Sequence, residues 1–202
     1  MEPTTRTVRW RVVLVDDHER SRAALRAAIW AAGGEVVGEA TRRADARETI
    51  TRCAPDVAVV AVGLPDGDGL EAVADVANGS ECAVVVCTAH VEPHVVERAI
   101  AAGVMGYLVK PLRPAEVAPT LDVAVARFRE LASLRRALED RKVIERAKGT
   151  LMARYGLTED DAFRRMRRAA MDTRRSIAEV ARAVLVSESV AEVGAAGQPP
   201  SR

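Results

Sequence analysis

Asp16 and Asp17 stand side by side directly after an apolar run, Thr88 closes a second run, and Lys110-Pro111 follows a third, three residues beyond Tyr107. The intervening loop Leu64-Pro65-Asp66-Gly67-Asp68-Gly69-Leu70 adds two more carboxylates. Such groups can hold a cation or an oxyanion only if folding gathers them, because an acidic pair by itself is usually solvated surface. A second set is cationic: Lys148, Arg154, Arg164, Arg165, Arg168, Arg174 and Arg175. Arginine has a planar donor fork suited to bidentate phosphate contacts and stacks on bases, so this set points to an anionic polymer. Arg is also the default base of this chain, so some of these side chains are expected to be solvated or paired with Glu159, Asp160 and Asp161.

The first set sits at the ends of short apolar runs. Five are visible, Trp10 to Val15, Glu35 to Ala40, Asp56 to Val62, Cys82 to Thr88 and Met105 to Val109, and each reads as a strand. Between them lie segments of helical spacing, such as Ala24, Leu25, Ala28, Ile29 and Val95, Val96, Ala99, Ile100, stopped by Gly33-Gly34 and Gly103. Val57-Ala58-Val59-Val60 is apolar at consecutive positions, which suits a strand buried on both faces of a parallel sheet. The expected architecture is a doubly wound α/β domain with a five-stranded parallel sheet over residues 9–125, whose ligands bind beyond the carboxyl ends of the strands.

After Pro114 the pattern becomes helical. Ala124, Phe128, Leu131, Leu134 and Leu138 form an apolar stripe on a long helix predicted from Leu121 to about Tyr155, with a kink expected at Pro119. The stripe is either a dimer seam or a packing face against the chain's own elements. Gly156 should end this helix and Thr158 should cap the next, whose apolar face is Phe163, Met166 and Ala170. A third helix carries Ile177, Val180, Ala181, Val184 and Leu185. The predicted result is an all-α three-helix bundle within residues 126–186, followed by a flexible tail over 187–202. Arg164, Arg165 and Arg168 lie off the apolar face, Arg174 and Arg175 are expected at the start of the third helix, where free N–H groups favour phosphate, and Lys148 and Arg154 extend the patch along the long helix. Leu151, Phe163, Met166 and Ile177 are assigned to packing, and Tyr155 is read as core although it could stack on a base.

The chain has 202 residues, more than one typical domain, with 49% hydrophobic, 29% charged and only 3% aromatic residues, so aliphatic side chains must build the cores. A net charge of +1 conceals a division. Residues 1–125 carry 13 Lys and Arg against 18 Asp and Glu, and the remainder carry 17 against 11. No apolar run approaches the roughly 18 residues of a spanning helix, and Met1 to Arg9 lacks a signal-type apolar stretch. Cys53, Cys82 and Cys87 lack metal-ligand spacing and are read as buried thiols in a reducing cytosol. The expectation is a cytoplasmic protein without membrane partners.

Taken together, Asp16-Asp17, Thr88, Tyr107, Lys110-Pro111 and the loop 64–70 resemble the receiver domain of bacterial response regulators over about residues 9–125. The resemblance implies that the acidic pair and a third carboxylate at the end of strand three hold Mg²⁺, that this third carboxylate accepts a phosphoryl group, and that the Thr and Lys hold the phosphoryl oxygens. Here the acceptor position is Ala61, and a methyl group neither ligates a metal nor accepts phosphate. Metal binding by Asp16 and Asp17 is therefore expected to be weak or absent. No catalytic residue remains, Asp66 and Asp68 fall where the family's loop residues fall, and Lys110 is expected to turn toward Asp16 or Asp17.

The segments Glu145-Arg146-Ala147-Lys148-Gly149, Gly156-Leu157-Thr158-Glu159, Ala162-Phe163, Arg167-Arg168-Ala169-Ala170-Met171 and Ile177-Ala178-Glu179-Val180-Ala181 resemble an ANTAR domain over about 130–186. That resemblance implies a transcription antiterminator that binds paired stem-loops in nascent RNA, usually as a dimer; the helix 121–155 is a candidate seam for such a dimer, and a sensor kinase or other regulatory protein is a candidate partner. The expected protein is a regulator and not an enzyme. Two competing readings are a helical module for duplex DNA and a protein-interaction scaffold.

Overall fold

Strands β1 (Arg11–Val15), β3 (Val57–Ala61) and β6 (Ala83–Thr88) are buried almost throughout in the computed structural model, which describes residues 8–79, 82–89 and 92–196. Consecutive side chains of a strand point to opposite faces, so these unbroken Val-rich runs feed two cores. With β2 (Glu35–Ala40) and β7 (Gly106–Val109) they form one parallel sheet in the order β2-β1-β3-β6-β7.

Val13, Val15, Ala58, Val60, Val84 and Val86 face a core completed by α2 (Arg43–Cys53), α3 (Gly69–Gly79) and α4 (Pro93–Ala101) through Ile50, Val73 and Ala99. Val12, Leu14, Val57, Val59, Val85 and Leu108 face the other, completed by Leu25 and Ile29 of α1 (Glu19–Ala31) and by Val117, Leu121 and Ala124 of α5 (Pro114–Tyr155). Each fully buried aliphatic side chain contributes roughly 1.5–3 kcal/mol. The expected doubly wound sheet is present. The described strands also include a two-stranded hairpin, β4 (Gly63–Leu64) with β5 (Gly67–Asp68), inside the segment read as a loop. Two-residue strands are too short to show alternation, and Gly67 at φ 145° makes the bend available.

The chain divides into two compact units, residues 1–132 and 133–202, rather than at 125/126, because α5 continues to pack on the sheet through Val125 and Phe128. In the second unit, the end of α5 packs with α6 (Glu159–Thr173) and α7 (Ile177–Ala196) around Ala147, Leu151, Ala162, Met166 and Ala181. Gly156, at φ 63°, ends α5 as expected. The Thr158 hydroxyl caps α6 by accepting from the Asp161 amide at 3.2 Å.

Several expectations for this unit need correction. Residues 187–196 continue α7 instead of beginning a loose tail, since Val184 and Leu185 keep the helix packed up to that point; residues 197–202 lie outside the described residues. Arg174 is the left-handed C-cap of α6 at φ 55°, so Arg174 and Arg175 precede the start of α7. There Ser176 and Glu179 form a reciprocal capping box that occupies two of the amides at the helix end, those of Ser176 and Glu179. Phe163 and Tyr155 are 39% and 48% exposed, so neither is core. No helix among the described residues is long and apolar enough to cross a membrane.

Candidate functional site

The parallel register aligns the strand ends and so gathers the first set. Val15 pairs with Val60, Ala61 with Cys87, and Thr88 with Val109, which brings Asp16, Ala61, Thr88 and Lys110 to one edge of the sheet. Asp16 is buried, and both of its carboxylate oxygens are occupied. Oδ1 accepts from the His18 amide at 2.9 Å, while Oδ2 accepts from the Ser21 hydroxyl at 2.7 Å and from Lys110 Nζ at 2.6 Å. Its carbonyl oxygen accepts from the Arg22 guanidinium at 2.6 Å. Burial opposes ionisation of Asp16 and is the largest single influence on it. The hydrogen bonds from Lys110, Ser21 and His18, joined by the Lys110 charge, outweigh that influence and hold the carboxyl below its usual range.

Asp17 is half-buried and lies 2.7 Å from Nδ1 of His18. Asp16, Asp17 and His18 thus present their ligand atoms within 4.8 Å of one another. This set does not fit the Mg²⁺ site of a receiver. Ala61 is buried and supplies a methyl where the third carboxylate would be, and Oδ2 of Asp16 already accepts from both Ser21 and Lys110. Thr88 and Tyr107 are joined by a side-chain hydrogen bond, and burial, the leading influence, raises the phenol's pKa. Burial likewise pushes the Cys87 thiol up to about 11, which makes it an inert neighbour of the pocket.

Asp66 and Asp68 perform structural work. Asp66 accepts from the Arg43 and Ala44 amides at 2.7 and 3.0 Å, anchoring the start of α2. Asp68 accepts from the Leu70 amide at 2.8 Å and pairs with Arg98. Ser21 and Arg22 were not legible as site residues, because nothing in their spacing marks a hydroxyl and a guanidinium that reach back one turn to a preceding strand end. Gly69 is required by close approach, since an added Cβ would lie 1.8 Å from the Ala61 carbonyl oxygen.

The cationic set separates under the geometry. Lys148 is buried and bridges Glu145 at 2.8 Å and Glu159 at 2.6 Å. It therefore ties α5 to α6 and is corrected from ligand contact to packing. Arg154 is ion-paired with Glu188, and Arg164 lies 2.6 Å from Asp161. Arg165 places its guanidinium 4.5 Å from the centre of the Tyr155 ring, and Arg154 lies 5.5 Å from it. Arg168, Arg174 and Arg175 are exposed and have no ion-pair partner within 4.0 Å among the described residues; the same holds for Arg167, which sequence reasoning did not single out. The second unit thus carries an exposed guanidinium field along α6 and the α6–α7 turn, flanked by an exposed aromatic ring.

Comparison with known proteins gives two family matches: the response regulator receiver domain over residues 12–122 and the ANTAR domain over 132–185. The transcriptional regulatory protein PdtaR of Mycobacterium tuberculosis is 40% identical over 182 residues, spanning 87% of this chain and 89% of that protein. The chemotaxis protein CheY of Thermotoga maritima is 33% identical over 113 residues, 55% of this chain and 94% of its own. Among solved structures, the signal receiver domain of the response regulator NarL from Mycobacterium tuberculosis superposes with a TM-score of 0.55 at 32% identity, covering 59% of this chain and 98% of that one.

Proposed function

Because the chain belongs to the response-regulator family, with a receiver domain followed by an ANTAR domain, we propose that it is an RNA-binding transcription antitermination regulator whose receiver is not switched by phosphoryl transfer to the usual position. The observation that carries the RNA reading is the exposed field of Arg165, Arg167, Arg168, Arg174 and Arg175 on a bundle packed around Ala147, Leu151, Ala162, Met166 and Ala181. Arg164 and Arg154 border it, each already holding a carboxylate that a phosphate would displace. Such a surface reads folded RNA through phosphates, 2′-hydroxyls and stacking on loop bases. Stem-loops in nascent transcripts are the proposed ligand, and the cytoplasm is where the protein would meet them.

On the receiver side, Lys110 bound to Asp16 holds the pocket in one arrangement without phosphate. A sensor kinase or other regulatory protein would then act by docking rather than by covalent transfer. Leu131, Leu134 and Leu138 on α5 are 42%, 56% and 60% exposed, at the three- and four-residue spacing of a helix seam. We assign this stripe to a homodimer contact.

The deciding experiment is competitive binding of paired RNA hairpins against duplex DNA, repeated across a salt series. Preference for RNA with a steep fall of affinity as salt rises supports the reading. Preference for duplex DNA, or binding unaltered when Arg164 and Arg168 are both changed to Ala, overturns it.

A further inference from the structure

The edge of the sheet that lacks an acceptor carboxylate opens into a cavity of about 440 Å³. Its lining includes Arg20, Ser21, Ala61, Cys87, Thr88 and Lys110, and no carboxylate side chain lines it. Asp16 is bonded to Lys110, and Asp17 to His18, which also lines the cavity. Arg20 is exposed and has no ion-pair partner among the described residues. The volume lies within the range that accommodates a small organic molecule, and Ala61, Val62 and Ala89 give one wall an apolar character.

We propose that this pocket is a non-covalent receptor for a small organic phosphomonoester. The dianionic head sits between Lys110 and Arg20, and the organic body rests against Ala61, Val62 and Ala89. An ammonium has three protons, and Asp16 takes only one from Lys110, so two remain to bind phosphate oxygens. The Ala61 methyl has two consequences: it removes the negative charge that would repel a bound anion, and it frees the space that the organic body uses. No bond is made or broken. Ligand occupancy is a property of the receiver and is measured without RNA, so its outcome is independent of the antitermination reading.

The test is titration of the isotope-labelled full chain with phenyl phosphate, inorganic phosphate and phenol in a magnesium-free, chelator-containing buffer, following the amide resonances of Ala61, Thr88 and Lys110. Saturable shifts with phenyl phosphate, tighter than with either other probe, are expected. Ala61→Asp, which places a third carboxylate beside the phosphate, should weaken binding at least about tenfold. Arg20→Gln, an exposed change that leaves the fold intact, should weaken it about threefold or more. No saturable shift with phenyl phosphate overturns the proposal. So does equal affinity for inorganic phosphate, which would make the site one for the free ion, and so does binding indifferent to both substitutions.

Discussion

Lys110 Nζ lies 2.6 Å from Oδ2 of Asp16, so the two charges that a phosphorylated receiver would share with metal and phosphate neutralise each other directly. The pair spans 94 residues of sequence and ties the end of β1 to the end of β7. Its pH dependence follows from the depressed Asp16 pKa. A carboxylate held below its unfolded value of about 3.9 contributes stability that is fully present above that value and is lost as pH falls through the folded one. Both tryptophans, buried Trp10 and exposed Trp30, lie in the receiver unit, so tryptophan fluorescence reports its unfolding alone. Asp16→Asn should cost about 2 kcal/mol at neutral pH, and the gap to the wild-type protein should narrow below about pH 4. A gap that persists unchanged to pH 3 would show that the ion pair is not its source.

Ala61 predicts the covalent chemistry. Incubation with acetyl phosphate and Mg²⁺ should add no phosphoryl mass to the intact wild-type chain. Asp66 and Asp68 are not substitutes, because each holds a backbone amide and an arginine of another element, Arg42 before α2 and Arg98 on α4. Ala61→Asp restores the missing carboxylate at the end of β3 and should accept one phosphoryl group. An adduct on Asp66 or Asp68 of the wild-type chain, mapped by fragmentation, would refute the silent-acceptor reading.

The stripe on α5 gives a prediction about assembly. Leu134→Glu with Leu138→Glu places charge on a surface already in contact with solvent, so the folded chain should tolerate both changes with little loss of helix content. If the stripe pairs two copies, light scattering should show the wild-type mass halving in the double variant at the same protein concentration. Equal masses for both chains would return these leucines to the exposed apolar residues that any soluble protein carries.

How much of this was legible before the structure depended on the range of the interaction. Val57 to Val60 announced a doubly buried strand because burial on both faces is written into consecutive residues, and the receiver set Asp16, Thr88 and Lys110 was found because it follows strand ends. Lys148 was misread for the opposite reason. Glu145 is a local partner, three residues back on α5, but Glu159 at the opening of α6 meets it only when the bundle closes, and a local ion pair alone does not distinguish a buried bridging lysine from a solvated one. Tyr155 is a further case: nearness to the bundle reads as core, but the residue ends α5 just before Gly156, and its ring stays outside the packed core.

That exposed ring carries the last prediction. Tyr155 is 48% exposed with the Arg165 guanidinium over its ring, and an unstacked RNA base can join that cation and ring in a stack. Stacking on an aromatic side chain contributes about 1–3 kcal/mol per base, so Tyr155→Ala should weaken hairpin binding about tenfold, whereas Tyr155→Phe, which keeps the ring, should bind nearly as well as the wild-type chain. The salt dependence should separate this contact from the phosphate contacts. Tyr155→Ala lowers affinity without changing the slope against salt, because no counterion is released at an aromatic contact, whereas Arg168→Ala should reduce that slope by about one. If Tyr155→Phe loses as much affinity as Tyr155→Ala, the hydroxyl and not the ring is what the RNA requires, and the stacking assignment fails.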